Sequence, residues 1–197
     1  MKIKVLAATL MFAFVSSGQA IVLTNFQFDG GSLSPTTETF GGSTSAITLG
    51  SNITVDSVNG TLLASPSTTY TSTANRVSFD YTVTGLSAGE TLTLDSASID
   101  YTGFGGSVRV DFVVGSTFNA STDPTDGSDT FTRALSASGL TNGQTVTVNF
   151  GIRDNNSDVY TLDNLTLNGT VVVPEPSSFA LLITGSLALF TLRRRRR

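Results

Sequence analysis

Apolar residues recur at every second position through most of the chain between residues 21 and 172, which is the period of a β-strand with one buried face. The clearest runs are 77–83, 108–114 and 146–152, where Val, Phe, Tyr and Ile alternate with polar residues. Turn-forming Gly, Asn, Asp and Ser separate the runs, and no stretch has helical spacing. Weaker runs occur at 22–28, 46–49, 53–58, 92–99 and 131–135. The pattern predicts an all-β fold, a single antiparallel β-sandwich of about eight strands.

The last run changes phase in the middle. Tyr160 and Leu162 are its even-numbered apolar residues, whereas Leu165 and Leu167 are odd-numbered. A change of phase inside one strand is what a β-bulge produces, and it falls at Asp163-Asn164.

The segment 160–167, Tyr-Thr-Leu-Asp-Asn-Leu-Thr-Leu, resembles the closing strand of carbohydrate-binding-module-like jelly rolls. The resemblance implies a jelly-roll strand order, although the pattern alone leaves an immunoglobulin-like order open. It also implies a structural calcium ion between an early strand and the last one, held by Asp29 and Asp163. The alternative for Asp163 is that its carboxylate accepts backbone hydrogen bonds at the bulge.

One ten-residue sequence occurs twice. Residues 85–94 and 139–148 share five identities, and each copy places a Gly-rich turn before a strand. The two copies are interpreted either as equivalent loops that form a binding rim, or as the same turn chemistry used twice, with Gly at positive φ and Leu over the core.

Residues 21–173 contain four arginines and no lysine against fourteen acidic residues, which leaves a net formal charge of −10. A nucleic-acid partner is therefore not expected, because binding phosphates requires a basic surface. Forty-eight of these 153 residues are Ser or Thr, and Thr suits strands better than helices. The chain has no cysteine, so neither disulfides nor thiol chemistry is available to it.

Catalysis is not expected, so the chain is predicted not to be an enzyme. Histidine and cysteine are absent, which removes the usual general base and the thiol nucleophile. The glutamates of the domain are Glu38 and Glu90, and the repeat has Gln144 where the first copy has Glu90. The acidic loops 123–129 and 154–158 contain oxygen ligands suited to calcium, although Asp and Asn also form ordinary turns. Candidates for an aromatic sugar-stacking platform are Tyr70, Tyr101 and Phe104. The alternative for Tyr101 is a core position, because it continues the odd phase of Ile99.

The N-terminus has the features of an export signal. Lys2 and Lys4 precede an apolar stretch at 5–15, and small residues then lead to a predicted cleavage after Ala20. Residues 1–20 are therefore predicted to be a signal peptide, and residues 21–172 to be the β-sandwich domain.

The C-terminal residues 173–197 have the order of a second signal. A motif at 173–176 ends in Pro-Glu-Pro, an uncharged apolar helix is predicted at 177–192, and five arginines follow. The apolar residues 179–192 make a helix of about 21 Å, against a hydrocarbon core of about 30 Å. Moving one arginine to mid-bilayer costs about 2.5–3.5 kcal/mol, so five arginines keep this end in the cytoplasm.

This tail resembles the PEP-CTERM sorting signal of Gram-negative bacteria, which exosortase-type membrane proteases recognise. The resemblance implies recognition through Pro174, Glu175 and Pro176, cleavage near them, and transfer onward from the inner membrane. It also implies a stop-transfer role for the five arginines, which are Arg193, Arg194, Arg195, Arg196 and Arg197.

Together these features predict an exported, exosortase-sorted protein of the cell surface, the biofilm or the extracellular exopolysaccharide matrix, with a structural or adhesive role. Its predicted partners are the processing protease, the membrane before processing, and extracellular polysaccharide. The alternative is a dedicated calcium-dependent carbohydrate-binding module on the cell surface.

Overall fold

The alternating runs form β-strands in the computed structural model, which describes residues 18, 20–39, 42–66, 73–105, 108–115, 124, 127–154 and 158–173. Residues Gly18–Val172 form one compact unit. The helical elements of the described residues are two single-turn 3-10 helices, Asp29–Gly31 and Thr73–Asn75. The strands are β1 (Ala20–Phe26), β2 (Thr37–Glu38), β3 (Ser43–Thr44), β4 (Thr48–Leu49), β5 (Ile53–Asp56), β6 (Thr61–Ala64), β7 (Arg76–Thr82), β8 (Thr91–Phe104), β9 (Arg109–Val114), β10 (Gly127–Leu140), β11 (Thr145–Arg153) and β12 (Tyr160–Val172).

The strands form two antiparallel sheets, here named sheet A and sheet B. Sheet A has seven strands in the order β10-β8-β12-β1-β2, with β6 also paired to β12 and β5 paired to β6. Sheet B has five strands in the order β3-β7-β11-β9, with β4 also paired to β7. The first strand therefore lies beside the last one. This arrangement confirms the predicted all-β sandwich.

Aromatic rings join the two sheets in the core. The ring centroids of Phe26 in sheet A and Phe79 in sheet B are 5.1 Å apart, and those of Phe112 in sheet B and Phe131 in sheet A are 6.0 Å apart. Ring pairs at such separations add about 0.5–1.5 kcal/mol to the effect of area burial. The inward members of the alternating runs fill the rest of the core, including Leu23, Leu62, Leu94, Ile99, Val110, Val148 and Leu162.

The strand count and several strand ends differ from the prediction. The described residues contain twelve strands rather than about eight, because no run was predicted at β2, β3 or β6, which have only two, two and four residues. β10 has 14 residues where the run 131–135 predicts five, because its Ser, Thr and Gly residues continue to pair with β8. β8 likewise extends beyond Ile99 to Phe104.

The phase change in the last strand is confirmed as a β-bulge. Asp163 pairs with Asp100 and Thr166 pairs with Ser98, so two residues of β12 lie opposite one residue of β8. Asn164, in the bulge, has a left-handed φ of 48°. Asn adopts this conformation more readily than other residues that carry a side chain. Both apolar phases of the strand therefore point into the core.

Each copy of the repeated sequence carries the chain from one sheet to the other. The first copy connects β7 of sheet B to β8 of sheet A, and the second connects β10 of sheet A to β11 of sheet B. The Ser87 N–H donates to Glu90 Oε2 (2.8 Å), and the Glu90 N–H donates to the Ser87 carbonyl (3.1 Å). Thr141 and Gln144 make the same two hydrogen bonds, at 2.6 and 3.1 Å. Glu90 and Gln144 therefore make equivalent hydrogen bonds in the two turns.

The two turns are also bonded to each other. The Asn142 side chain donates to the Leu86 carbonyl (2.7 Å) and accepts from the Leu86 N–H (3.0 Å). Leu86 is buried over the core, and Val83 continues the ladder between β7 and β11 through main-chain bonds to Gly143 and Gln144. The repeat is therefore explained by turn formation that closes this end of the sandwich. The binding rim stays a prediction.

Candidate functional site

A cleft of about 500 Å³ opens on the outer face of sheet B. Its volume falls within the range of about 300–1,000 Å³ that is usual for small-ligand sites. The cleft lies where β4, β7 and β11 meet the second 3-10 helix, and six of its nine lining residues carry polar side chains. These six are Thr48, Ser51, Thr73, Arg76, Ser78 and Asn149.

A close backbone approach holds the cleft together. The Asn52 N–H donates to the Ala74 carbonyl (2.9 Å), and the Asn52 side chain donates to Oδ1 of the buried Asn75 (2.6 Å). A Cβ at Gly50 would lie 2.3 Å from the carbonyl oxygens of both Thr73 and Ala74. Only glycine allows the loop after β4 to pack this closely on the 3-10 helix.

The floor of the cleft consists of outward-facing residues of β7 and β11. Ser78 lies directly opposite Asn149 in the antiparallel register, and Arg76 lies one step further along the same face. Asn149 is buried, and its amide donates to the Gly115 carbonyl. Among the described residues, the lining contains hydroxyl, amide and guanidinium groups and no carboxylate, histidine or cysteine. These groups suit a ligand rich in hydroxyl groups.

The predicted calcium residues Asp29 and Asp163 lie close enough to interact electrostatically. Burial raises the pKa of Asp163, the Asn164 N–H that donates to its Oδ1 (2.7 Å) lowers the pKa, and the charges of Asp100 and Asp29 raise it. Among the described residues, no group of three or more Asp, Glu, His or Cys side chains is placed to hold a metal ion. The calcium site therefore stays a prediction, and the alternative hydrogen bond at the bulge is present.

A polar network that the sequence analysis did not predict surrounds this bulge. The Asn164 amide donates to Asp100 Oδ2 (2.9 Å) and accepts from the Asn25 amide (2.6 Å). Asn25 also donates to Thr166 Oγ1 (2.7 Å), and the Thr130 hydroxyl donates to Asp100 Oδ1 (2.5 Å). The network joins β1, β8, β10 and β12, so it ties four strands of sheet A together on the solvent side.

The acidic loop 154–158 uses its first carboxylate to hold the chain. Oδ2 of the buried Asp154 accepts from the Tyr160 hydroxyl (2.5 Å) and from the Asp158 N–H (3.0 Å). Burial raises the pKa of Tyr160, and the hydrogen bond to Asp154 raises it further. In the other acidic loop, Asp123 and Asp126 lie outside the described residues.

The prediction of an aromatic sugar-stacking platform is wrong for two of its three candidate residues. Tyr101 and Phe104 are buried, and their rings stack with centroids 4.1 Å apart. Phe104 also meets the ring of Tyr160 edge-on at 5.0 Å. Tyr101 continues the inward phase of its strand, so the strand period places it in the core. The third candidate, Tyr70, lies outside the described residues.

Most of the predicted sorting residues lie outside the described residues, namely Pro174, Glu175, Pro176 and Arg193 to Arg197. Ala20 is the first residue of β1, opposite Thr170, and its cleavage stays a prediction. The part of the chain that the structure describes has no helix with the length and apolarity needed to cross a membrane.

The cleft itself was not predicted. Arg76 and Asn149 stand at polar positions of alternating runs, which indicated only that they face outward. The alternation held no information on which strands lie side by side, so it did not show that these residues share one cleft.

No protein-family model matches the chain, and no curated protein matches it. Among solved structures, a family two carbohydrate esterase from Cellvibrio japonicus is similar to this chain, with 15% sequence identity and a TM-score of 0.36. The match covers 82% of this chain and 36% of the length of that one. The TM-score is too low for the likeness to support an argument about function.

Proposed function

We propose that this chain is an exported, exosortase-sorted protein of the cell surface or exopolysaccharide matrix, with a structural or adhesive role and not a catalytic one. The observation that carries the proposal is the cleft on sheet B, where Arg76, Ser78 and Asn149 present hydrogen-bonding groups. Such groups bind the hydroxyls of a polysaccharide without changing any covalent bond.

The order of the strands supports a jelly-roll-like sandwich as part of this proposal. β1 and β12, the first and last strands, pair along sheet A, with Ala20 opposite Thr170 and Phe26 opposite Leu165. Both ends of the domain are thereby tied into one sheet. A matrix protein benefits from this arrangement, because a pulling force on the C-terminal side acts first on a paired strand.

Hydroxyl groups on the strand faces are fixed by cross-strand bonds, which supports a structural role. Thr82 and Thr145 share a hydrogen bond of 2.8 Å, and the Thr147 hydroxyl donates to Asp80 Oδ1 (2.5 Å). Cross-strand pairs of this kind contribute about 0.2–1 kcal/mol each. The faces of the sandwich therefore present an ordered polar surface rather than mobile side chains.

Mass spectrometry of the protein recovered from the native envelope and medium tests the sorting part. Export and processing predict an N-terminus at Ile21 and a C-terminus close to the motif at 174–176. Replacing Pro174, Glu175 and Pro176 by alanine is expected to leave the uncut protein in the membrane. Recovery of the wild-type chain with intact Arg197 in the membrane would contradict sorting.

A pair of matched substitutions tests the polysaccharide part. Thr48→Phe places a bulky side chain in the cleft, whereas Thr132→Phe changes an exposed threonine of β10 outside the cleft. Full-length protein with Thr48→Phe is expected to lose pull-down by the matrix polysaccharide, while Thr132→Phe keeps it. Equal binding by both variants would show that the cleft is not the contact.

The alternative, a calcium-dependent carbohydrate-binding module, is favoured by the surroundings of Asp163, whose pKa is raised in part by the charges of Asp29 and Asp100. A cation at this place would relieve that repulsion. Calcium chloride is then expected to raise the unfolding temperature of the wild type but not that of Asp163→Asn, with magnesium as the control. An unchanged unfolding temperature of the wild type would contradict the alternative.

A further inference from the structure

The four arginines of the β-sandwich domain gather at one end of sheet B. Arg76 opens β7, Arg109 opens β9 and Arg153 closes β11, and the antiparallel pairing puts these three ends at the same edge. Arg133 of β10 reaches this end from sheet A, with its Nε 3.2 Å from Oδ1 of Asp111 on β9. The strongly acidic domain therefore concentrates its positive side chains in one place, named here the arginine cluster.

The register puts like charges side by side in this cluster. Arg153 lies directly opposite Arg109, and like charges in such a pair destabilise a sheet. One step along, Gly151 lies between Arg76 and Asp111 and adds no side chain of its own. Several described residues of β7, β9 and β11 face outward at this end. The acidic one among them is Asp111.

Two observations show that the fold does not compensate fully for this arrangement. The Nε of Arg153 is buried and has no hydrogen-bond partner in the described part of the chain. Leaving such a buried donor unbonded destabilises the fold. Asp111, the acidic partner of Arg133, is itself buried. Positions that break a local rule without a compensating contact are typical of functional sites.

The surface around the cluster does not match a protein interface. Among the described residues, no exposed large apolar side chain belongs to β7, β9 or β11; the exposed ones are Val22, Val58, Val159, Val172 and Val173. The buried centre of a protein interface is usually apolar and aromatic. Arg76 instead belongs to both the cluster and the hydroxyl-binding cleft, so one ligand that fits both carries hydroxyl groups and negative charge.

We propose that the cleft and the arginine cluster together bind a carboxylate-bearing polysaccharide, a polyuronate, and this inference rests on the proposed contact with matrix polysaccharide. The planar guanidinium group binds a carboxylate through two parallel N–H···O bonds. The sugar hydroxyls of the same polymer bind Ser78 and Asn149 in the adjoining cleft. Because the rest of the domain repels a polyanion, binding orients the protein with this end of sheet B toward the matrix.

The test measures binding of the full-length chain to immobilised polygalacturonate, to neutral dextran and to dextran sulfate. The wild type is expected to bind polygalacturonate and not dextran. Arg153→Gln is expected to weaken this binding about tenfold, the effect of losing one charge-assisted bond. Arg153→Lys keeps the charge but loses the planar fork, so an intermediate affinity is expected.

Stability separates binding from a structural role in this test. Arg153→Gln removes a like-charge pair and an unbonded buried donor, so its unfolding temperature is expected to stay unchanged or to rise. A lower unfolding temperature together with unchanged binding would show that Arg153 only supports the fold, and would overturn the proposal.

The other outcomes are distinguishable. Equal binding to polygalacturonate and dextran would leave the polysaccharide contact standing and overturn the carboxylate inference. Equal binding to dextran sulfate, with Arg153→Lys equal to the wild type, would show charge attraction alone and also overturn it. Binding to none of the three polymers would overturn the carboxylate inference, whereas failure of the pull-down by the matrix polysaccharide would contradict the proposed function. Self-association that Arg153→Gln abolishes would identify a second copy of the chain as the occupant.

Discussion

The outer faces of the two sheets share one backbone pattern but treat charge in opposite ways. On sheet A, the carboxylates of Asp95 and Asp100 accept hydrogen bonds from Thr170 and Thr130 on neighbouring strands. On sheet B, arginines lie next to one another at the strand ends, including one directly opposite pair. Sheet B also satisfies one carboxylate across its strands, because Thr147 donates to Asp80. The two faces therefore differ in their arginines, which sheet B concentrates at one end.

The difference supports the proposal that the outer face of sheet B meets a partner, whereas that of sheet A stabilises the domain. Short hydroxyl and amide side chains on sheet A satisfy its carboxylates across the strands, so these residues add to the stability of the domain. In the arginine cluster, Arg153 lies directly opposite Arg109, and the Nε of Arg153 has no hydrogen-bond partner among the described residues. A local charge conflict of this kind is tolerated where binding requires it. Four predictions test the contrast.

The largest effect is expected at the cleft of sheet B. Gly50→Ala would bring a Cβ to 2.3 Å from two backbone carbonyl oxygens, and the loop would have to move away. We expect a loss of about 3 kcal/mol in the free energy of unfolding, the upper end for overpacking. Urea unfolding of the full-length chain, followed by circular dichroism, measures it.

Gly30→Ala, in the first 3-10 helix, is the control for this substitution. Gly30 has a φ of +61° and open space around its Cβ position, so alanine adds only backbone strain of about 1 kcal/mol. Equal losses for the two variants would show that the close approach at Gly50 contributes nothing.

A somewhat smaller effect is expected in the network of sheet A. Asn164→Ala keeps a left-handed φ of 48° with a residue less suited to it, and removes the hydrogen bonds to Asp100 and Asn25. We expect a loss of about 2 kcal/mol, from backbone strain and lost bonds together.

Asn164→Gly separates these two causes, because glycine adopts the same φ without strain. A loss of about 1 kcal/mol is expected for it, which isolates the hydrogen bonds. If glycine restores full stability in a urea titration, the network on sheet A does not stabilise the domain.

The third prediction concerns the affinity for polygalacturonate, and it compares the removal of one carboxylate from each face. Asp111→Asn removes a negative charge from the arginine cluster, and we expect polygalacturonate to bind about fivefold more tightly, since a nearby charge contributes about 1 kcal/mol. Asp95→Asn changes the net charge equally but on sheet A, so it is expected to leave the affinity unchanged. Equal effects would mean that only net charge matters.

The smallest effect is the dependence of stability on pH. Burial raises the pKa of Asp163, with the Asn164 N–H lowering it and the charges of Asp100 and Asp29 raising it. The folded chain therefore holds this proton more tightly than the unfolded chain, and stability falls as the pH rises above the ordinary carboxyl pKa. The stability of Asp163→Asn is expected to rise relative to that of the wild type between about pH 4 and pH 7.

The corresponding residue on sheet B is Asp111. Burial raises the pKa of Asp111, while the charge of Arg133 and a backbone hydrogen bond lower it, so stability changes with pH in the same direction. Urea unfolding at a series of pH values, in the presence of a metal chelator, measures the stability of Asp163→Asn and Asp111→Asn. An unchanged pH slope in Asp163→Asn would show that this carboxylate titrates as it does in the unfolded chain.

The sequence by itself determined which residues face the core and where the last strand changes phase. Val77, Phe79 and Leu162 were predicted to point inward and are buried, and the bulge was predicted at Asp163-Asn164. Both features are local, because successive side chains of a strand alternate between its two faces and a bulge shifts that alternation by one residue. The two-residue strands β2 and β3 and the ends of the 14-residue β10 escaped this reasoning because they contain too few apolar residues.

Only the tertiary structure decided which outward residues are neighbours. It placed Arg109 opposite Arg153 and brought Gly50 against Thr73. The alternation along a strand says nothing about the adjacent strand, since register and strand order depend on the turns and the packing of the whole chain. For this reason the proposed binding face could be recognised only after the sheets were assembled.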